Sequence, residues 1–120
     1  LDSCSGSKII TGQIENSNLL VPVASFELND ISFRKYVIVS PDELKYPICI
    51  YRFSETEYTA LLMRCTHQGT QLEVFGDRLE CPAHGSEFND KGVVMEGPAE
   101  RNLRTFPVTI QKNQLYISLK

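Results

Sequence analysis

Several residue types that would indicate common functions are scarce in this chain of 120 residues. Basic residues are outnumbered, with 12 Lys and Arg against 15 Asp and Glu, which excludes a general nucleic-acid binder because phosphates need a basic face. No apolar run approaches the roughly 18–20 residues that cross a bilayer, so no transmembrane segment is predicted. Tryptophan is absent, and there are only 2 histidines and 4 cysteines. The remaining composition, 42% hydrophobic and 22% charged, is typical of a folded domain.

The start of the chain is polar and has no periodicity. We interpret residues 1–8 as an N-terminal tether and residues 9–120 as a single domain. The segment from Leu1 to Cys4 resembles a bacterial lipobox, in which the cysteine carries a lipid. Two interpretations stay open here, a lipid anchor at Cys4 and a loose tail with an incidental thiol. The compartment is therefore also open, between the cytoplasm and an exported, membrane-anchored lipoprotein of a bacterium.

Short extended runs separated by turn residues fill the rest of the chain and predict an all-β fold with antiparallel strands. The run over residues 47–53 is almost continuously apolar, as in a strand that is covered on both faces. Lys112 and Asn113 fit a hairpin loop between two alternating segments. One turn of helix is expected over residues 41–45. The other predicted strands cover residues 19–23, 36–39, 58–63, 106–110 and 115–119.

Both histidines lie within three residues of a cysteine, in two loops that each contain a glycine. The loops read Cys65-Thr-His67-Gln-Gly69-Thr70 and Cys81-Pro-Ala-His84-Gly85-Ser86. Two thiolates and two imidazoles suit zinc or an iron–sulfur centre. The glycines are expected to let the backbone approach that centre and direct N–H groups at sulfur. Spacing alone leaves a structural Cys2His2 zinc site and an iron–sulfur site equally open.

The paired loops resemble the two-box signature of the Rieske [2Fe–2S] family. The second box continues through Ser86 to Phe88, and the following Asn89-Asp-Lys-Gly92 and Gly97-Pro98-Ala99 fit that family's hairpin and covering proline loop. The resemblance implies a Rieske-like antiparallel β-sandwich with a cluster-binding subdomain, formed by two loops within about residues 64–103. It also implies one [2Fe–2S] cluster. By this resemblance Cys65 and Cys81 hold one iron, and His67 and His84 hold the other.

Departures from the quinol-oxidising members of that family indicate an intermediate-to-low reduction potential. Those members carry a disulfide between the loops, whereas Thr70 and Ala83 occupy the corresponding positions here. They also donate serine and tyrosine hydroxyls to the cluster sulfurs, and only Ser86 is retained because Phe88 replaces the tyrosine. A turn-forming role for Ser86 is the alternative. Pro98 is expected to shield one side of the cluster.

The two remaining cysteines are not expected to be ligands. Cys49 lies inside an apolar strand and is interpreted as a buried core thiol, and Cys4 lies in the tether. Charges near the boxes are mixed, with 7 acids and 5 bases between Met63 and Arg104, so the sequence predicts no steering patch.

The expected function is one-electron transfer between redox partners, without an enzymatic site of the chain's own. The mononuclear iron of an oxygenase would need two further histidines, whereas the cluster already uses both histidines of this chain. The circuit stays open between a ferredoxin that serves an oxygenase or reductase and a subunit that docks with a cytochrome or quinol-oxidising complex. The alternative function is a redox-silent zinc module that binds partners through its loops.

Overall fold

The computed structural model describes residues 7–120, so the predictions for Cys4 and for most of the tether lie outside the described residues. Within residues 7–120 the chain is almost entirely strand and turn. The strands are β1 (Ile9–Ile10), β2 (Gln13–Glu15), β3 (Asn18–Pro22), β4 (Tyr36–Val39), β5 (Ile48–Arg52), β6 (Tyr58–Leu62), β7 (Glu73–Phe75), β8 (Arg78–Glu80), β9 (Glu87–Asn89), β10 (Val94–Glu96), β11 (Thr105–Phe106), β12 (Val108–Gln111) and β13 (Gln114–Ser118). The all-β prediction is confirmed.

Three sheets organise these strands. A central five-stranded sheet has the order β11-β6-β5-β4-β1, and one four-stranded sheet has the order β12-β13-β3-β2. A second four-stranded sheet, β10-β9-β8-β7, is built from the segment that contains both candidate loops. The strand pairs are antiparallel as predicted, except that β1 pairs with β4 in parallel. The predicted domain boundary at residue 9 and the loop limits of 64–103 stay predictions.

The central sheet separates two hydrophobic cores, because successive side chains of a strand point to opposite faces. In β5, Ile48 and Ile50 pack into the first core, toward the β12-β13-β3-β2 sheet. Cys49 and Tyr51 pack into the second core, which also holds Cys65 and Cys81. The prediction that this strand is covered on both faces is therefore confirmed. The second core connects the central sheet directly to the candidate site.

The prediction of one turn of helix over residues 41–45 is wrong. That segment makes one turn, in which the Leu44 N–H donates to the Pro41 carbonyl at 3.1 Å, and then runs on toward β5. Pro47 disfavours helical backbone at the residue before it and has no N–H to donate, so the turn does not continue. The helical segment is instead a 3₁₀ turn over Val23–Phe26.

Two local features complete the fold. Lys112 and Asn113 both have positive φ, 50° and 65°, the geometry of the tight hairpin turn predicted there. At the other end, Lys8 accepts a hydrogen bond from the Ile38 N–H at 2.9 Å, which joins the last residue of the predicted tether to β4. Over residues 7–120, we find no helix with the length and apolar character needed to cross a membrane.

Candidate metal centre

Two loops with the same backbone hydrogen-bond pattern carry the predicted ligands. Loop 1 is residues 65–70, between β6 and β7, and loop 2 is residues 81–86, between β8 and β9. In each loop the cysteine N–H donates to the carbonyl five residues later, at 2.8 Å, to Thr70 in loop 1 and to Ser86 in loop 2. The two loops therefore present their cysteines in equivalent backbone settings, although the histidines stand at different offsets.

The glycine of each loop is required by its backbone angle. Gly69 and Gly85 have φ of 77° and 83°, which favour a residue without Cβ. Their N–H groups donate to the carbonyls of Cys65 and Cys81, at 2.9 and 3.0 Å. These two N–H groups therefore close the turns. The N–H groups that reach sulfur in loop 2, as the sequence predicted for the loop backbone, are those of Ala83 and His84, which hydrogen-bond to Cys81.

The two cysteines of the loops come together in the second core. Cys65 is fully buried and Cys81 is 3% exposed. Burial raises the pKa of the Cys81 thiol, but hydrogen bonds from the Ala83 and His84 backbone and from the Cys65 and Thr70 side chains outweigh it, so the pKa lies below its ordinary value. A lowered pKa favours the thiolate, which is the form that binds metal.

The two histidines form a second pair on the outside of the molecule. The rings of His67 and His84 stand edge to face with their centroids 5.7 Å apart and an interplanar angle of 80°. Both residues are exposed, in contrast to the buried cysteines. The structure thus sorts the four predicted ligands into an inner sulfur pair and an outer nitrogen pair.

The four predicted ligands can be compared with the two metal centres that the sequence left open. A mononuclear zinc site needs its four ligands around one point. Within residues 7–120, no group of three or more His, Cys, Asp or Glu side chains is placed to hold a single ion. A sulfur pair and a nitrogen pair are the ligands that a binuclear centre with sulfur on one iron and nitrogen on the other requires.

Ser86 and the proline loop, residues 97–104 between β10 and β11, are directly connected. Ser86 is fully buried, and its Oγ accepts a hydrogen bond from the Ala99 N–H at 2.9 Å. Because the oxygen accepts here, the hydroxyl proton remains free to donate elsewhere. Phe88 is fully buried in the second core, and Pro98 lies exposed in the proline loop.

Sequence reasoning missed two further ties that hold loop 1. The Thr66 hydroxyl donates to the Arg101 carbonyl at 2.6 Å, and the Arg101 guanidinium donates back to the Thr66 carbonyl at 3.3 Å. The Tyr46 hydroxyl donates to the Gly69 carbonyl at 2.6 Å. Thr66 lies between Cys65 and His67, so its position in the first box could have indicated a role at the site. Nothing in the sequence indicated a role for Tyr46.

The interpretation of Cys49 as a core thiol is confirmed. It is fully buried in β5, and burial, only partly offset by a hydrogen bond with Tyr51, raises the pKa of its thiol well above the ordinary value. A neutral thiol that is closed off from solvent does not compete for metal.

The chain is similar to a known protein family and to several known proteins. The model of the Rieske [2Fe–2S] domain matches residues 20–107. Ferredoxin CarAc of Metapseudomonas resinovorans is 32% identical over 60% of this chain and 70% of its own length. The iron-sulfur subunit TsaM1 of the toluene-4-sulfonate monooxygenase system of Comamonas testosteroni is 30% identical over 60% of this chain and 23% of its own.

The chain is also similar to a solved structure and to a further group of relatives. The plasma membrane Rieske protein PetC3 of Synechocystis PCC 6803 superposes with a TM-score of 0.60 at 25% identity, over 70% of this chain and 86% of that chain. Iron-sulfur subunits of cytochrome b6-f complexes also match. The chain spans about a third or less of the length of several curated relatives.

The family model covers well over half of the chain, and it gives no support to the zinc alternative. It confirms the predicted cofactor, one [2Fe–2S] cluster. The relatives include iron-sulfur subunits of cytochrome b6-f complexes and a ferredoxin, in agreement with the predicted role in electron transfer. The matched residues include both loops, and the chain belongs to the Rieske [2Fe–2S] domain family.

Proposed function

We propose that this chain passes single electrons between protein partners, with Cys65 and Cys81 holding one iron of the cluster and His67 and His84 holding the other. The observation that carries the proposal is the separation of the four residues into a buried sulfur pair and an exposed nitrogen pair. When bound, the cluster supplies a centre that accepts and releases one electron. The protein residues then determine how tightly it is held and from which side it exchanges.

The sulfur pair anchors the cluster on the protein side. Both thiols lie in the second core, and hydrogen bonds to Cys81 favour its thiolate. Core packing around Leu72, Leu79 and Phe88, all at most 2% exposed, excludes water from that side. In the absence of an inter-loop disulfide, this packing and the ties at Thr66, Gly69 and Ser86 hold the loops.

The nitrogen pair forms the route to partners. His67 and His84 are both exposed, so a docked protein reaches the ring edges directly. Two neutral imidazoles in place of two thiolates make the centre less negative than an all-cysteine cluster, which raises its reduction potential. Phe88 contributes no hydroxyl, so we place the potential below that of the quinol-oxidising members.

In the proposed circuit, the chain acts as a ferredoxin that passes electrons to or from an oxygenase or reductase system. The match to ferredoxin CarAc supports this, because the chain covers 70% of that protein. The second candidate is a partner of a cytochrome or quinol-oxidising complex, which the matches to cytochrome b6-f subunits favour. A lipid anchor at Cys4 belongs to this second candidate.

Metal analysis and a mediated redox titration test the proposal. Anaerobically purified protein should contain iron and acid-labile sulfide in equal amounts and no stoichiometric zinc. A potential in the low or middle part of the family range, roughly −150 to +300 mV, supports the ferredoxin circuit. A potential near the top of that range would favour the quinol-oxidising circuit, and one zinc per chain would refute the electron carrier.

A further inference from the structure

The bases in the segment that contains both loops differ in the groups that they contact. Five bases lie between Met63 and Arg104. Arg78 pairs with Glu80 at 2.7 Å, and Lys91 lies 3.9 Å from Glu57. The Arg104 guanidinium donates to the Leu119 carbonyl at 3.4 Å. Arg64 and Arg101 differ from these three because their guanidinium groups lie against loop 1.

Both remaining arginines lie against the backbone of loop 1. Arg101 donates to the Thr66 carbonyl, one residue before His67. Arg64 lies at Gly69, where a Cβ would stand 3.0 Å from the guanidinium, and its guanidinium is 5.8 Å from the centre of the Tyr46 ring. The glycine therefore also provides the space that this arginine occupies.

Arg64 and Arg101 also differ from Arg78 and Lys91 in their ion pairs. In the part of the chain from residue 7 to residue 120, neither Arg64 nor Arg101 forms an ion pair with an acidic side chain, and Glu100 makes none with the adjacent Arg101. Two acids of the same segment are engaged with other bases, since Glu80 pairs with Arg78 and Asp90 with Lys35. Both arginines are exposed, as is His67 between them in sequence.

We propose that Arg64 and Arg101, the arginine pair, select redox partners whose docking face is acidic. The inference rests on the proposed function, because it gives a role to the surface around the exposed nitrogen pair. The Arg101 guanidinium is already hydrogen-bonded to loop 1, and that of Arg64 lies against Gly69 and the Tyr46 ring, so less side-chain freedom is lost when a carboxylate docks. Guanidinium groups also bind carboxylates with two parallel hydrogen bonds, which favours an acidic protein face over a neutral one.

The proposal can be tested through the sign of the electrostatic field at loop 1. The whole chain carries a net charge of −3, whereas the arginine pair is positive. A uniformly acidic molecule repels anionic oxidants and attracts cationic ones. A local cationic site at loop 1 does the opposite for electron transfer at the nitrogen pair. Salt screens either effect, so the dependence of the rate on ionic strength reports its sign.

The experiment oxidises the dithionite-reduced holoprotein with trianionic ferricyanide or tricationic hexaamminecobalt(III) in a stopped-flow instrument. One electron leaves the reduced protein, and the trivalent metal of the probe becomes divalent. Salt should slow the reaction with ferricyanide and speed the reaction with the cobalt complex. Taking the ratio of the two rates within each variant reduces the influence of differences in reduction potential.

Arg64→Gln and Arg101→Gln should each lower the ferricyanide-to-cobalt rate ratio by about two- to tenfold at low ionic strength. Arg104→Gln removes the same charge away from loop 1 and should leave the ratio within error. Salt slopes of opposite sign, or an equal effect of all three substitutions, would overturn the arginine pair while leaving the electron carrier intact. A protein that dithionite does not reduce would overturn the proposed function and this inference together.

Discussion

His67 and His84 stand edge to face with their ring centroids 5.7 Å apart, on the exposed side of two loops whose cysteines are buried. This arrangement gives one centre two environments, a dry thiolate side and an open imidazole side. In the proposed centre the dry side would retain the cluster, and the open side would exchange electrons.

Removal of one inner thiol should empty the site. Cys81→Ala leaves a single protein ligand on the sulfur-bound iron, so iron and sulfide should fall to near zero. Cys49→Ala is the matched control, because this thiol is also buried in the second core but has a raised pKa. Iron and sulfide analysis of both purified variants checks the prediction. Equal loss in the two variants would mean that Cys81 acts only through packing.

The Ser86 hydroxyl should affect both stability and reduction potential. Ser86→Ala removes the acceptor of the buried Ala99 N–H, at a cost of about 1–3 kcal/mol in the free energy of unfolding. The hydroxyl proton is also lost as a donor to cluster sulfur, so the reduction potential should fall. Denaturant unfolding and a redox titration measure the two effects, with the exposed Ser40→Ala as control. An unchanged potential would leave Ser86 only its tie to Ala99.

Tyr46 should hold loop 1 closed. Tyr46→Phe removes the hydroxyl that donates to the Gly69 carbonyl, which should cost about 0.5–1.5 kcal/mol and speed the loss of iron to a chelator. Tyr36→Phe is the matched control, since the Tyr36 hydroxyl hydrogen-bonds to Ser7. The rate of bleaching in excess chelator measures the effect. Equal rates in both variants would contradict a role for Tyr46 at loop 1.

The two cores should differ in their effect on the cluster. Leu79→Ala and Leu115→Ala each remove a fully buried side chain, Leu79 from the second core and Leu115 from the first. Each should lower the free energy of unfolding by about 2–5 kcal/mol. Only Leu79→Ala should also speed cluster loss, because Cys65 and Cys81 belong to the same core. Faster loss in both variants would show that the cores act as one unit.

Much of the fold could be predicted from residue pattern. The run over residues 47–53 was continuously apolar because β5 lies between two cores, and Lys112 and Asn113 suited a turn with positive φ at both positions. The parallel pairing of β1 with β4 could not be predicted. Two-residue strands carry almost no periodicity, and the partner of β1 lies far along the chain.

The candidate ligands could be named from the sequence because their residue types are rare and their spacing is specific. The ties that hold the loops could not be predicted. Tyr46 lies 23 residues from its partner Gly69, and Thr66 lies 35 residues from Arg101. The contacts of Arg64 were equally hidden, because Gly69 and Tyr46 are brought to its guanidinium by the fold, whereas the ion-pair partner of Arg78 is two residues away in the sequence.

The most direct test of the proposed centre is a pair of visible and EPR spectra of anaerobically purified protein, recorded before and after dithionite. The proposed ligands predict a brown protein that bleaches on reduction. The reduced protein should give a rhombic EPR signal with the average g value of a [2Fe–2S] cluster bound by two cysteines and two histidines. A colourless protein with one zinc per chain, or a reduced signal of the all-cysteine type, would contradict the assignment of Cys65, His67, Cys81 and His84.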